Sequence, residues 1–165
     1  AVAHLKKKKI QIPKAKSCKC PGSSSVEIKR KETELPEQAS QLTQWPVQFH
    51  LISPNSGYFK QADILLAADC TAYAYGNFHN NFLKNKALII ACPKLDSDKD
   101  SYVEKLSLLI DQSEINTLTV LMMEVPCCGA LFHISRLALE NSERKIPIKQ
   151  IIIGINGEIK KQEWV

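Results

Sequence analysis

Three stretches decide the fold: Asp63-Ile64-Leu65-Leu66-Ala67-Ala68-Asp69-Cys70, Ala87-Leu88-Ile89-Ile90-Ala91-Cys92-Pro93, and Thr117-Leu118-Thr119-Val120-Leu121-Met122-Met123-Glu124-Val125-Pro126-Cys127-Cys128. Each is a near-continuous apolar run of strand length, the pattern of a strand buried on both faces of a parallel sheet. Each also runs into cysteine. In an open α/β sheet, ligands bind outside the carboxyl ends of the strands, so four thiols from three strand ends are set to converge on one edge.

Helices are expected between these runs at Phe78–Leu83, Ser101–Ser113 and Gly129–Asn141. The second is the clearest, with Tyr102, Val103, Leu106, Leu109 and Ile110 at helical spacing. A further apolar strand, Gln150 to Ile155, precedes Asn156-Gly157, a hairpin signal that returns the chain through Glu158-Ile159. Upstream, Val47 to Leu51 alternates apolar and polar like a half-exposed strand, and Pro54-Asn55-Ser56-Gly57 reads as a turn. Alternating strands and helices imply an α/β fold over residues 41–165: a small three-layer domain with a mainly parallel sheet of about five strands.

Residues 1–40 differ in kind. Seven lysines (Lys6, Lys7, Lys8, Lys9, Lys14, Lys16 and Lys19) and no acid occupy the first twenty positions, so the net charge of +5 belongs to this arm and the rest is slightly acidic. The composition reads as a basic, mostly irregular arm or linker, with Val26 to Lys31 as a possible short edge strand. A basic arm can meet nucleic acid, but this one lacks the aromatics and arginines that such binding favours, and no nucleic-acid partner is expected. No apolar run is long enough for a membrane span, and no secretory h-region is seen. Six cysteines in such a chain point to the reducing cytoplasm, and to metal or thiol chemistry ahead of disulfides.

Thiolates are soft ligands that select zinc, copper(I) or iron–sulfur clusters, and a cluster usually takes four. Cys70, Cys92, Cys127 and Cys128 make that number, with His79 as an alternative ligand. Neighbouring side chains in extended chain diverge, so Cys127 and Cys128 share a site only if the backbone turns between Pro126 and Gly129. Against this stands the ordinary role of cysteine as a small buried hydrophobe. Cys128 also opens a helix, where a thiolate is stabilised, so it is the candidate nucleophile of a thiol enzyme. Asp69 and Glu124 at the same edge read as helix caps or proton carriers. His50 and His133 read as surface histidines, and Met122 and Met123 as core. Cys18 and Cys20 form a separate pair of unassigned role. No Gly-x-Gly-x-x-Gly, Walker A or Gly-x-Ser-x-Gly motif is present.

The stretches Gln44-Trp45-Pro46-Val47-Gln48, Ala67-Ala68-Asp69-Cys70, Phe78-His79-Asn80, Ala91-Cys92-Pro93-Lys94-Leu95-Asp96 and Met123-Glu124-Val125-Pro126-Cys127-Cys128 resemble the C-terminal α/β domain of ferredoxin-like [4Fe–4S] iron–sulfur proteins of anaerobic prokaryotes. In that family a domain with two [4Fe–4S] motifs precedes a linker with a Cys-x-Cys-Pro-Gly-Ser element, matched here by Cys18 to Ser23. The Cys-x-x-Cys-x-x-Cys-x-x-x-Cys-Pro run of the ferredoxin part is absent from this chain. The resemblance implies electron transfer, with a [4Fe–4S] cluster as cofactor and a ferredoxin-type domain of the same parent chain, or a separate redox protein, as partner. A structural zinc site in a module that docks a redox partner is the alternative.

Overall fold

The computed structural model describes Ile28 and residues 37–165. The expected edge strand at Val26 to Lys31 and the pair Cys18 and Cys20 lie outside the described residues, Ile28 excepted, which is in no regular element.

Five strands form one sheet: β1 (Asp63–Ala68), β2 (Ala87–Ala91), β3 (Thr117–Met123), β4 (Ile148–Ile153) and β5 (Ile159–Trp164), in the order β2-β1-β3-β4-β5. The first four run parallel, and β5 returns antiparallel to β4. The apolar runs explain this arrangement. Ile64, Leu65, Leu66, Ala67 and Ala68 are all buried, as are Leu118, Val120 and Leu121, and a strand with no polar face can only sit inside a sheet covered on both sides. The hairpin read at Asn156-Gly157 is present: Gly157 N donates to Gly154 O at 2.9 Å, Gly154 N to Glu158 O at 2.8 Å, and Gly157 takes φ 89°, which glycine reaches without strain.

Helices α2 (Lys99–Asp111) and α3 (Gly129–Asn141) pack against each other and join β2 to β3 and β3 to β4. The right-handed rule for parallel crossovers puts both on one face, and the β1–β2 connection on the other. That connection is α1 (Thr71–Ala74) followed by a wide π-type turn at His79–Leu83, where a regular helix was expected; Phe82 and Leu83 anchor it in the core. Beyond Phe82 the second face carries no helix among the described residues. A groove of about 620 Å³ opens there over Thr119, Ile151, Gln162 and Trp164.

The segment before β1 forms less strand than its alternation suggested. Only Gln48 bridges, in parallel with Ile90 of β2, after which the chain turns at Phe49 and His50. It is held instead by side chains. Phe49 stacks on Tyr102 of α2 with ring centroids 4.0 Å apart, and Gln44 Nε2 donates to Leu88 O at 2.6 Å. Lys105 of α2 donates to the carbonyls of Phe49, His50 and Ile52 at 3.0, 2.8 and 3.1 Å. One ammonium thus satisfies three carbonyls at a bend that makes no ladder. Lys105→Met keeps the aliphatic stem and removes the donor. It is expected to lower stability by about 2 kcal/mol, within the range for leaving polar groups unpaired, as read from the midpoint of urea unfolding at unchanged m-value.

Candidate functional site

The strand order reverses at β1, whose neighbours β2 and β3 are reached through crossovers on opposite faces. The carboxyl ends of these three strands define the site. At the end of β1, Asp69 N donates to Ala91 O at 3.2 Å, extending the pairing by one residue, and Cys70 then caps α1. Thr71, fully buried, ties this corner down by donating its hydroxyl to Ala68 O at 2.7 Å.

At the end of β2, Cys92 to Asp96 closes a tight loop. Leu95 N and Asp96 N donate to Cys92 O at 3.0 and 2.8 Å. Asp96 Oδ2 in turn accepts from Cys92 N and from the Tyr102 hydroxyl, both at 2.8 Å. Burial pushes the Tyr102 hydroxyl well above its usual range, and the bond to Asp96 adds to this. Tyr102 is therefore a permanent donor that fixes the loop carrying Cys92.

At the end of β3 the chain makes the sharp turn that the cysteine pair required. Pro126–Cys128 is one 3₁₀ turn running straight into α3, with Cys128 N donating to Val125 O at 3.1 Å. Glu124 is structural: its Oε1 accepts from Ile155 N at 2.8 Å and its Oε2 lies 3.9 Å from Lys160 Nζ, which ties the strand end to the β4–β5 turn.

All four thiols are free. Cys70 is exposed, Cys92 and Cys127 are half-buried and Cys128 is buried. They sense one another electrostatically. Burial pushes the Cys70 thiol up, and Cys92, Asp69 and Cys127 push it further. The Cys128 thiol is pushed up to about 11, by burial first and then by Cys127 and Cys70, against a lowering hydrogen bond with the Met123 backbone. This reverses the expectation that the helix start would make Cys128 the reactive thiolate: burial outweighs the favourable field. The donor set has the chemistry of a soft-metal site, but among the described residues no three His, Cys, Asp or Glu side chains are grouped closely enough to hold a metal ion.

His79 is engaged elsewhere. Its Nδ1 accepts from Gln41 N at 3.0 Å, and it lines a small apolar cavity of about 200 Å³ with Asp69, Leu42 and Phe78. His133 and His50 are exposed, as read from the sequence, with the His50 ring 4.6 Å from that of Tyr102. Met122 and Met123 are core.

Sequence reasoning missed the Asp96–Tyr102 pair, for which a proline and an aspartate soon after a strand-end cysteine (Cys92-Pro93-Lys94-Leu95-Asp96) were the available signal. It also missed how Asp69 differs from Glu124. Asp69 Oδ1 is buried with no hydrogen-bond partner among the described residues, and neither acid caps a helix. Burial raises the Asp69 carboxyl pKa, and the charge of Asp96 raises it further.

Fold and edge together define an α/β domain of the doubly wound kind, whose carboxyl edge bears thiols and no glycine-rich phosphate loop. Residues 56–165 match the family model described as a Rossmann-like domain, and the chain belongs to that family. An uncharacterised protein of Archaeoglobus fulgidus is 29% identical over 120 residues, covering 73% of this chain and 84% of its own length. No solved structure matches. Among the described residues no helix is long and apolar enough to cross a membrane.

Two outcomes follow from the site's electrostatics. A carboxyl whose folded pKa is raised binds its proton more tightly in the native state, so its contribution to stability is present in acid and lost as pH rises through the folded value. Asp69→Asn should therefore raise the unfolding midpoint at pH 7, with the gain shrinking as pH falls towards the ordinary carboxylate range; no gain at neutral pH contradicts the assignment. Alkylation by iodoacetamide at pH 8, followed by peptide mass mapping, should modify Cys70 first and Cys128 last among the four central thiols.

Proposed function

We propose that this domain is an electron-transfer module associated with iron–sulfur proteins, and that Cys70, Cys92, Cys127 and Cys128 are the ligands of a soft-metal centre, a [4Fe–4S] cluster, at the carboxyl edge. The observation that carries this reading is that three different strand ends bring their thiols within electrostatic reach of one another: Cys92 and Cys127 add to the raised pKa of Cys70, and Cys127 and Cys70 to that of Cys128. A set of thiols that penalise one another's ionisation is the set that a cationic centre relieves, because it binds thiolates and cancels their repulsion. Such a centre supplies one-electron transfer when bound.

The chain's own residues prepare the edge. The Asp96 carboxylate and the Tyr102 hydroxyl hold the Cys92 loop, Thr71 fixes the corner beside Cys70, and Cys127 and Cys128 both lie in one 3₁₀ turn. Ligation requires these side chains to draw inward by rotation from their present separation. The partner that suits such a centre is a ferredoxin-type domain, on the same parent chain or on a separate redox protein, in the cytoplasm. Zinc on the same thiols, in a module that docks a redox partner, is the alternative occupant.

One observation favours a second reading, thiol redox chemistry without a metal. The thiols stand near enough to act on one another's charge without being grouped as ligands. A hydrolase-like role for Cys128 is disfavoured by its burial and its raised pKa.

The deciding measurement is iron, sulfide and zinc content of protein purified without oxygen, with its visible spectrum. About four irons and four sulfides per chain are expected, with a brown colour that bleaches on reduction and is lost in Cys92→Ala. Zinc near one per chain supports the docking module. Absence of metal, or full iron retention in Cys92→Ala, removes the cluster assignment.

A further inference from the structure

Strand β5 is the edge of the sheet, and its outer side is unpaired among the described residues. Val165 N donates to Ile148 O at 2.9 Å, and with the register Gln150↔Glu163 and Ile152↔Lys161 this makes the odd-numbered residues the ones bonded to β4. In an antiparallel ladder the intervening residues turn their N–H and C=O away. Gln162 and Trp164 therefore present free backbone donors and acceptors outward. Trp164 is 59% exposed and Val165 is 59% exposed, so this edge also carries apolar surface. Neither proline nor a covering helix blunts it among the described residues.

We propose that β5 is a homodimer interface, in which a second copy of this chain pairs antiparallel with β5 about a two-fold axis through Gln162 and makes a continuous ten-stranded sheet. A two-fold perpendicular to the sheet pairs only residues of the same facing, which leaves few registers. The register centred on Gln162 is the one in which charge agrees with geometry. Gln162 faces Gln162 of the copy with both N–H···O bonds made, and Lys161 faces Glu163 of the copy on each side of the axis. Within one chain Lys161 and Glu163 already pair along one face of the strand. The dimer turns two such pairs into a closed quartet of alternating sign, and directly opposed unlike charges stabilise a strand pair. The irregularity between Ile152 and Ile153, opposite Lys160, ends the regular ladder on each side, so the pairing is short and its register is pinned.

The geometry has two consequences. The axis reverses in-plane directions, so the carboxyl edges of the two copies point opposite ways and both thiol sites stay open to partners. The groove over Thr119, Ile151, Gln162 and Trp164 meets its counterpart across the axis and becomes one trough. The inference stands on the strand edge alone and is independent of what the thiols hold.

Sedimentation of the whole chain, from micromolar to millimolar concentration, tests it. A concentration-dependent dimer is expected. Gln162→Pro removes the outward N–H at a position where an edge strand tolerates proline, and should give a monomer with unchanged circular dichroism. Glu163→Lys opposes like charges twice and should raise the dissociation constant by about tenfold or more. Adding Lys161→Glu to Glu163→Lys restores the quartet with its signs exchanged and should restore the dimer. This rescue reads the register, which a merely structural role for these residues would not produce. A monomer throughout, as expected if the bulge and lysines protect the edge or another segment of the chain covers it, overturns the proposal. So does a dimer indifferent to Gln162→Pro, or one that the double exchange fails to rescue.

Discussion

The parallel ladder on both sides of β1 is the constraint on which everything else rests. Its five buried residues, Ile64 to Ala68, pair in register with β2 through Ile64↔Ala87 to Ala68↔Ala91, and the strand pairs with β3 through Asp63↔Thr117 to Ala67↔Leu121. Parallel neighbours need crossovers, and right-handed crossovers to the two sides of one strand must lie on opposite faces. The three carboxyl ends are left uncovered between those crossovers. The thiol edge is thus the place where the topology prevents a helix from lying, and no separate active-site element has to be built.

What occupies that edge explains why its polar groups are unevenly satisfied. Glu124 and Asp96 each accept backbone or hydroxyl bonds and serve as girders. Asp69 does not: one of its oxygens is buried and unpaired among the described residues, in the field of Asp96. An unsatisfied buried acceptor costs about 1–3 kcal/mol, which folding alone gives no reason to keep. Beside a thiol edge where burial and neighbouring thiols raise the Cys70 and Cys128 pKa values, it marks an edge arranged for something other than stability.

Much of this was legible in the chain, because the strongest signals were hydrophobic. Continuous apolar runs gave β1, β2 and β3 almost to the residue, and the asparagine–glycine pair gave the β4–β5 hairpin. Where the reading failed, tertiary contacts overrode local pattern. Val47 to Leu51 alternates as a strand should, yet only Gln48 pairs, because Lys105 and Tyr102 of α2 claim the rest of the segment. The stretch around His79 winds as a π-type turn to bring Phe82 and Leu83 into the core while His79 meets Gln41. The thiol edge was legible as a placement, since strand ends can be counted. Its electrostatics were not, because the burial that lifts the Cys128 thiol depends on how α3 seats on the sheet.

The two ends of the sheet differ in how their edges are closed. At the β2 end, the segment Val47 to Phe49 closes the strand with a single parallel bridge made of two backbone bonds, Phe49 N to Ile90 O at 3.0 Å and Ile90 N to Val47 O at 2.8 Å. This isolated bridge caps the edge, and the residues just before it include Gln41, which meets His79. At the other end β5 has no such cap among the described residues. A sheet that closes one edge with its own chain and leaves the other with alternating charge on one face separates two demands. The closed end stabilises the strand that delivers Cys92. The open end is separated from β2 by three intervening strands, so that pairing with another chain would leave the geometry of the thiol edge untouched.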